Sequence, residues 1–169
     1  MITDLFLSFH KLIMAGKKVK WHWLPLLAAW YIFLIILYNW WDLISIEDIT
    51  EWMNILFFIA YGHLLLLIYL AVSTVLPDVA EKKEVDLRNY YFENHRYFWG
   101  LMTAVVLLSI SIGFFKGIEN IRYFNAFNLC YTCIFIALML ILIRTKKYWV
   151  HSALLVIFVA QTLLQIIFK

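Results

Sequence analysis

The side chains that could do chemistry in this sequence are few: five histidines, a handful of amides, and a scatter of bases and acids. His63 stands out because it lies about midway along an uncharged run from Trp52 to Leu76. Protonated, an imidazole there could pass a proton or coordinate a ligand; neutral, it can hydrogen-bond a neighbouring helix. Asn125, Asn128 and Thr132 follow a spacing of i, i+3, i+7, which places them along one helix stripe. Gln161 and Gln165 are i, i+4, and Ser109 and Asn54 add to the polar groups in apolar surroundings. Two readings follow. Such groups tie helices together, typically for about 1 kcal/mol each in lipid, or they line a narrow polar path past His63. No carboxylate accompanies His63 in its apolar run, which argues against the acid relays of ion-coupled carriers.

His10, His22, His95 and His151 all fall beside basic or aromatic clusters. Imidazoles from different helices can ligate haem iron, and three can hold zinc, so His22, His95 and His151 are metal or haem candidates. No local spacing such as H-E-x-x-H supports either, and interfacial histidines are also ordinary in membrane proteins. The most distinctive stretch runs from Asp86 to Trp99. Asp86 can cap a helix there, after which Arg88, Phe92, His95 and Trp99 share a face. The plainer reading is a juxtamembrane helix with snorkelling bases and interfacial aromatics. The sharper one makes Asp86, Arg88, Tyr91, Glu93, His95 and Arg96 a cytoplasmic rim that contacts lipid headgroups or a partner protein.

Enzymatic signatures are missing: there is no G-x-G-x-x-G, phosphate loop, G-x-S-x-G or H-E-x-x-H. Cys130 and Cys133 form a C-x-x-C inside an apolar run, where small packing residues are the better reading than a redox pair. With 14 Lys+Arg against 11 Asp+Glu, the net charge of +3 gives no surface for nucleic acid.

The elements that must position these residues are membrane helices. Hydrophobic residues make up 65% and charged residues 15% of the 169, against about 45–50% and about 25% in an ordinary globular domain. Mean hydropathy is +0.84, more apolar surface than one small core can hide. About 20 apolar residues cross a hydrocarbon core of roughly 30 Å. Five segments qualify: 22–41, 52–76, 97–115, 121–143 and 148–168. Seven of the 8 Trp stand at their ends (Trp21, Trp23, Trp40, Trp41, Trp52, Trp99 and Trp149), where an indole satisfies both its apolar body and its N–H.

Eleven of the 14 Lys and Arg fall on one face of this threading: Lys11, Lys17, Lys18, Lys20, Lys82, Lys83, Arg88, Arg96, Arg144, Lys146 and Lys147. Positive-inside bias puts that face in the cytoplasm and the C-terminus outside. Residues 1–20 form an amphipathic N-terminal segment, too short to span comfortably and read as an in-plane helix; a sixth, short crossing is the alternative. Residues 77–96 are a charged cytoplasmic connection, and residues 1–169 make a single membrane domain. The short links 116–120 and 144–147 make the last three helices antiparallel neighbours. Ser45 and Asp48 read as a cap for the second crossing. The entry Lys20-Trp21-His22-Trp23 is echoed by Lys147-Tyr148-Trp149-Val150-His151, through duplication or through membrane physics alone.

The expected fold is therefore all-α and transmembrane: an antiparallel bundle of five spanning helices plus the N-terminal helix. D-L-R-N-Y-Y-F-E-N-H-R-Y-F-W, the K-V-K-W-H-W entry with Trp40-Trp41 beyond it, and K-K-Y-W-V-H together resemble a family of small bacterial multi-pass inner-membrane proteins. The likeness runs over most of the chain. It implies a bacterial inner-membrane location and no particular chemistry, and in some members a longer N-terminal helix. The functional expectation is a non-enzymatic assembly, sensor or accessory subunit, with membrane lipid and a second copy or a co-expressed protein as partners. A small oligomeric channel or carrier is the alternative, and a haem or metal protein the third.

Overall fold

A computed structural model describes residues 1–44, 55–78, 84–117 and 126–167. It is overwhelmingly helical. α1 spans Ile2–Ala15 and ends in a 3-10 turn, Gly16–Lys18. Gly16 stands at φ 52, which lets the chain leave the helix without a Cβ clash. A two-residue strand, β1 (Val19–Lys20), leads into α2 (Trp23–Ile44). α3 is Ile55–Val75, β2 is Val85–Asp86, and α4 runs without a break over Leu87–Gly117. α5 is Ala126–Arg144 and α6 is Tyr148–Ile167.

Four of these helices are long and apolar enough to cross a membrane by length and composition: Trp23–Trp41, Ile55–Val75, Leu87–Gly113 and Tyr148–Ile167. The described part of α5 contributes a shorter apolar stretch, Cys130–Arg144. Local sequence explains the ends. Pro25 sits in the first turn of α2, where its missing N–H has no helical partner to lose. α3 stops before Pro77, whose ring disfavours helical backbone in the residue ahead of it. The hydroxyls of Ser73, Thr74, Thr103, Ser111 and Thr162 all donate to carbonyls of their own helices, so none needs water. The anticipated cap at Ser45 and Asp48 lies outside the described residues.

One end of the molecule collects the starts of α2, α4 and α6 and the finish of α3. Trp23 Nε1 donates to Tyr148 Oη at 2.7 Å, and Tyr90 Oη donates to the carbonyls of Thr74 and Leu76. β1 and β2 pair in parallel here, Val19 against Val85 and Lys20 against Asp86, and Lys20 reaches Glu84 at 3.7 Å. This strand bridge has no counterpart in the hydropathy pattern, which reads both segments as loop. Toward the other end, Tyr61 Oη donates to the Asn39 carbonyl at 3.0 Å, so α2 and α3 run in opposite directions.

The interior is filled by large rings. Tyr31, Trp99 and Phe158 are each at most 1% exposed and contact one another at centroid distances of 5.7–6.2 Å. Phe135 of α5 meets Phe158 at 4.7 Å. α5 and α6, joined by a short link, touch through this ring pair. α5 lies closest along α4, and α6 along α2 with a smaller contact to α5.

α1 also departs from expectation. It does not lie across the end of the bundle but stands alongside α2 and α3, with Phe6 against Phe33 and Lys11 paired to Asp78 at 2.8 Å. Leu5 and Leu12, two turns apart, are buried in the groove between those helices. A fourteen-residue helix is about 21 Å long, short of a full crossing of roughly 30 Å.

Candidate functional site

The basic end contains the densest polar arrangement among the described residues. Asp86 Oδ1 accepts the Asn89 N–H and starts α4, as the residue type leads one to expect. From that start, Leu87, Tyr91, His95, Phe98, Trp99 and Met102 turn inward as one buried stripe. The rim expected from the sequence therefore divides. Tyr91 and His95 belong to the interior, whereas Asp86, Arg88, Glu93 and Arg96 are exposed. Arg88 and His95, seven positions apart, lie on the same side of α4, but Arg88 stands in its first turn and stays exposed whereas His95 is enclosed.

Inside, a directional chain of hydrogen bonds joins α4 to α6. Trp99 Nε1 donates to Tyr91 Oη at 3.0 Å, and Tyr91 Oη meets His151 Nδ1 at 3.0 Å. His151 Nε2 lies 2.8 Å from the Thr145 carbonyl, which can only accept. The neutral ring thus carries its proton on Nε2, Nδ1 accepts, and Tyr91 donates to it. His95 is 1% exposed and donates Nδ1–H to the Phe92 carbonyl at 2.7 Å. Its ring lies 5.4 Å from that of His151, nearly perpendicular, with Phe92 against both. His95 Nε2 is a buried lone pair with no hydrogen-bond partner among the described residues. Chemically, that atom can take one proton or one coordinate bond, while both nitrogens of His151 are engaged.

A second junction lies at the surface of the same end. The Arg88 guanidinium carbon is 5.2 Å from the centre of the Tyr148 ring. His22 meets that ring edge-on at 5.5 Å, and Trp23 binds its hydroxyl. His22 Nδ1 accepts the Leu24 N–H at 3.3 Å, so this histidine caps α2. Burial, and after it the Arg88 charge, push His22 below the ordinary histidine value, with Asp86 working the other way.

The three histidines weighed as metal ligands are thus gathered at one end, two of them in ring contact. Among the described residues, no three His, Cys, Asp or Glu side chains are grouped to hold a metal ion.

The intramembrane candidates are dispersed. His63 is exposed on the outside of α3, its Nδ1 donating to the Ile59 carbonyl of its own helix at 2.8 Å. Gln165 is exposed, and Thr132 and Gln161 are half-buried. Asn54, Asn125 and the Asn128 side chain lie outside the described residues. Cys130 and Cys133 are both free and exposed.

Sequence reasoning missed Tyr148, and it set Trp99 in the aromatic belt and on the face of His95 without its interior hydrogen bond to Tyr91. The echo between the two basic, aromatic helix entries was the available signal: the entries touch each other, through Trp23 and Tyr148. No known family model, curated protein or solved structure matches the chain.

Proposed function

We propose that this chain is a multi-pass protein of the bacterial inner membrane, working as a non-enzymatic assembly, sensor or accessory subunit. In this reading α2 to α6 make five crossings, since the nineteen residues of α5 extend about 28 Å, close to the hydrocarbon thickness. The end bearing Lys17, Lys20, Arg88, Arg144, Lys146 and Lys147 faces the cytoplasm by positive-inside bias, and α6 ends outside.

The observation that carries the assembly role is the outward exposure of His63 at mid-helix, beside Gly62, next to which there is open space. An ionisable ring facing lipid at that depth is costly, and small residues beside it let another helix approach closely. A second copy of this chain or a co-expressed protein on the outer face of α3 removes that cost. The interior, filled with Tyr31, Trp99, Phe158 and Met102, favours no polar path through the bundle.

His63→Cys, with Cys130 and Cys133 replaced by Ser, tests this by cross-linking in native membranes. A self-dimer or a discrete heavier adduct is expected. Full labelling by a lipid-phase thiol reagent with no protein adduct would remove the assembly reading.

A further inference from the structure

We propose that the junction of Arg88, Tyr148 and His22 is a headgroup site for an anionic phospholipid, with Arg88 holding the phosphate. The inference rests on the membrane reading of the fold and is independent of the assembly role.

Arg88 is fixed from below by the Tyr148 ring, which is itself anchored by the Trp23 indole N–H. A guanidinium seated on an aromatic ring loses little freedom on binding and keeps its N–H fork for two phosphate oxygens. The acids around it are committed elsewhere. Asp86 caps α4, Glu84 pairs with Lys20, Asp78 pairs with Lys11, and Glu93 accepts the Asn89 side-chain amide. Among the described residues no carboxylate lies within ion-pair distance of Arg88, Lys146 or Lys147.

Lys146 and Lys147 immediately precede Tyr148 in the chain, so their charges belong to the same corner. His22 contributes its remaining N–H, because Nδ1 is occupied by the Leu24 amide. The starts of α2, α4 and α6 meet here as well, and each adds partial positive charge.

The surroundings decide for lipid over a soluble anion. Trp21, Trp23 and Trp149 are 46%, 44% and 67% exposed around the junction. Indoles left out at a basic helix entry belong at the headgroup level, where a phospholipid phosphate sits beside them.

The test uses the full-length protein, delipidated in detergent, with phosphatidylglycerol, phosphatidylcholine or inorganic phosphate added back. Phosphatidylglycerol is expected to raise the thermal midpoint and to remain bound in native mass spectra, and the other two to do neither. Arg88→Ala is expected to weaken retention roughly tenfold, the loss of one charge-assisted contact. Arg88→Lys is expected to fall between the two, and Lys17→Ala to match the wild type. Retention unchanged in both Arg88 variants overturns the site, as does equal retention of phosphatidylcholine. Stabilisation by inorganic phosphate alone overturns the lipid and leaves a free-anion site. If Arg88→Ala does not fold, Arg88→Lys and Tyr148→Leu give the same reading, since each removes the stacked fork.

Discussion

Two histidines of this chain sit in helices of similar length and apolarity, and their surroundings are opposite. His151, near the start of α6, is fully buried, with both ring nitrogens engaged in a chain that runs from Trp99 through Tyr91 to the Thr145 carbonyl. His63, in the middle of α3, is exposed and bonded only to a carbonyl one turn back in its own helix. The difference is one of partners. The α4 stripe carries a phenol and an indole at the level of His151, so the ring can be enclosed without stranding a polar atom. Around His63, the inward positions of α3 are Tyr61, Leu64 and Ile68, and the ring is left on the outside. A polar group is taken into such a bundle where neighbouring helices can satisfy it, and depth along the helix is secondary.

The comparison can be broken most directly at Tyr91. Tyr91→Phe keeps the ring and leaves Trp99 Nε1 and His151 Nδ1 buried without their partner. It should lower the unfolding free energy in detergent by about 2 kcal/mol; an unchanged midpoint would mean the chain of bonds adds nothing to the fold.

A smaller effect is expected from pH. Burial, helped by the Arg88 charge, holds His22 in the folded protein below the ordinary histidine value, so folding favours the neutral ring that caps α2. Its contribution is complete above about pH 6.5 and is lost as pH falls through the lowered folded value. The thermal midpoint should drop between pH 7.5 and 5, and drop less in His22→Asn, which keeps a capping acceptor without a titrating ring. Equal drops in both proteins would clear His22 of the effect.

The smallest change is expected at the other member of the pair. His63→Leu should leave the stability of the isolated chain within about 0.5 kcal/mol of wild type, while weakening any cross-link seen on the outer face of α3. A large loss of stability would place the ring in a packed site and cancel the contrast with His151.

Much of the fold was legible from single residues. Apolar runs located the long helices, Pro77 marked the end of α3, and Asp86 announced the start of α4. Within the candidate site, the rim read from the sequence included Tyr91 and His95, both of which the fold buries. Taking Arg88, Phe92, His95 and Trp99 as one face left Tyr91 on the rim, whereas the buried line is Leu87, Tyr91, His95 and Trp99. A helix hydrophobic on most sides gives no strong stripe to read, so a modest rotation of its inward face is within the freedom the pattern allows. The upright stance of α1 was hidden for a related reason. Leu5 and Leu12 show that the helix has an apolar face, and say nothing of whether lipid or a groove between two helices covers it.

By itself the sequence determined that this is a helical chain with several apolar runs long enough to cross a membrane, and that its bases gather toward one set of helix ends. It determined that the interior of those helices is poor in charge. These follow from hydrophobicity and chain length, which act residue by residue. Only the tertiary structure decided that His95 and His151 share a buried pocket, that Arg88 rests on Tyr148, that β1 pairs with β2, and that His63 looks outward. Each of those depends on which helices lie side by side and on how they are rotated. Nothing in an apolar run fixes that rotation until large rings such as Tyr31, Trp99 and Phe158 have packed against one another.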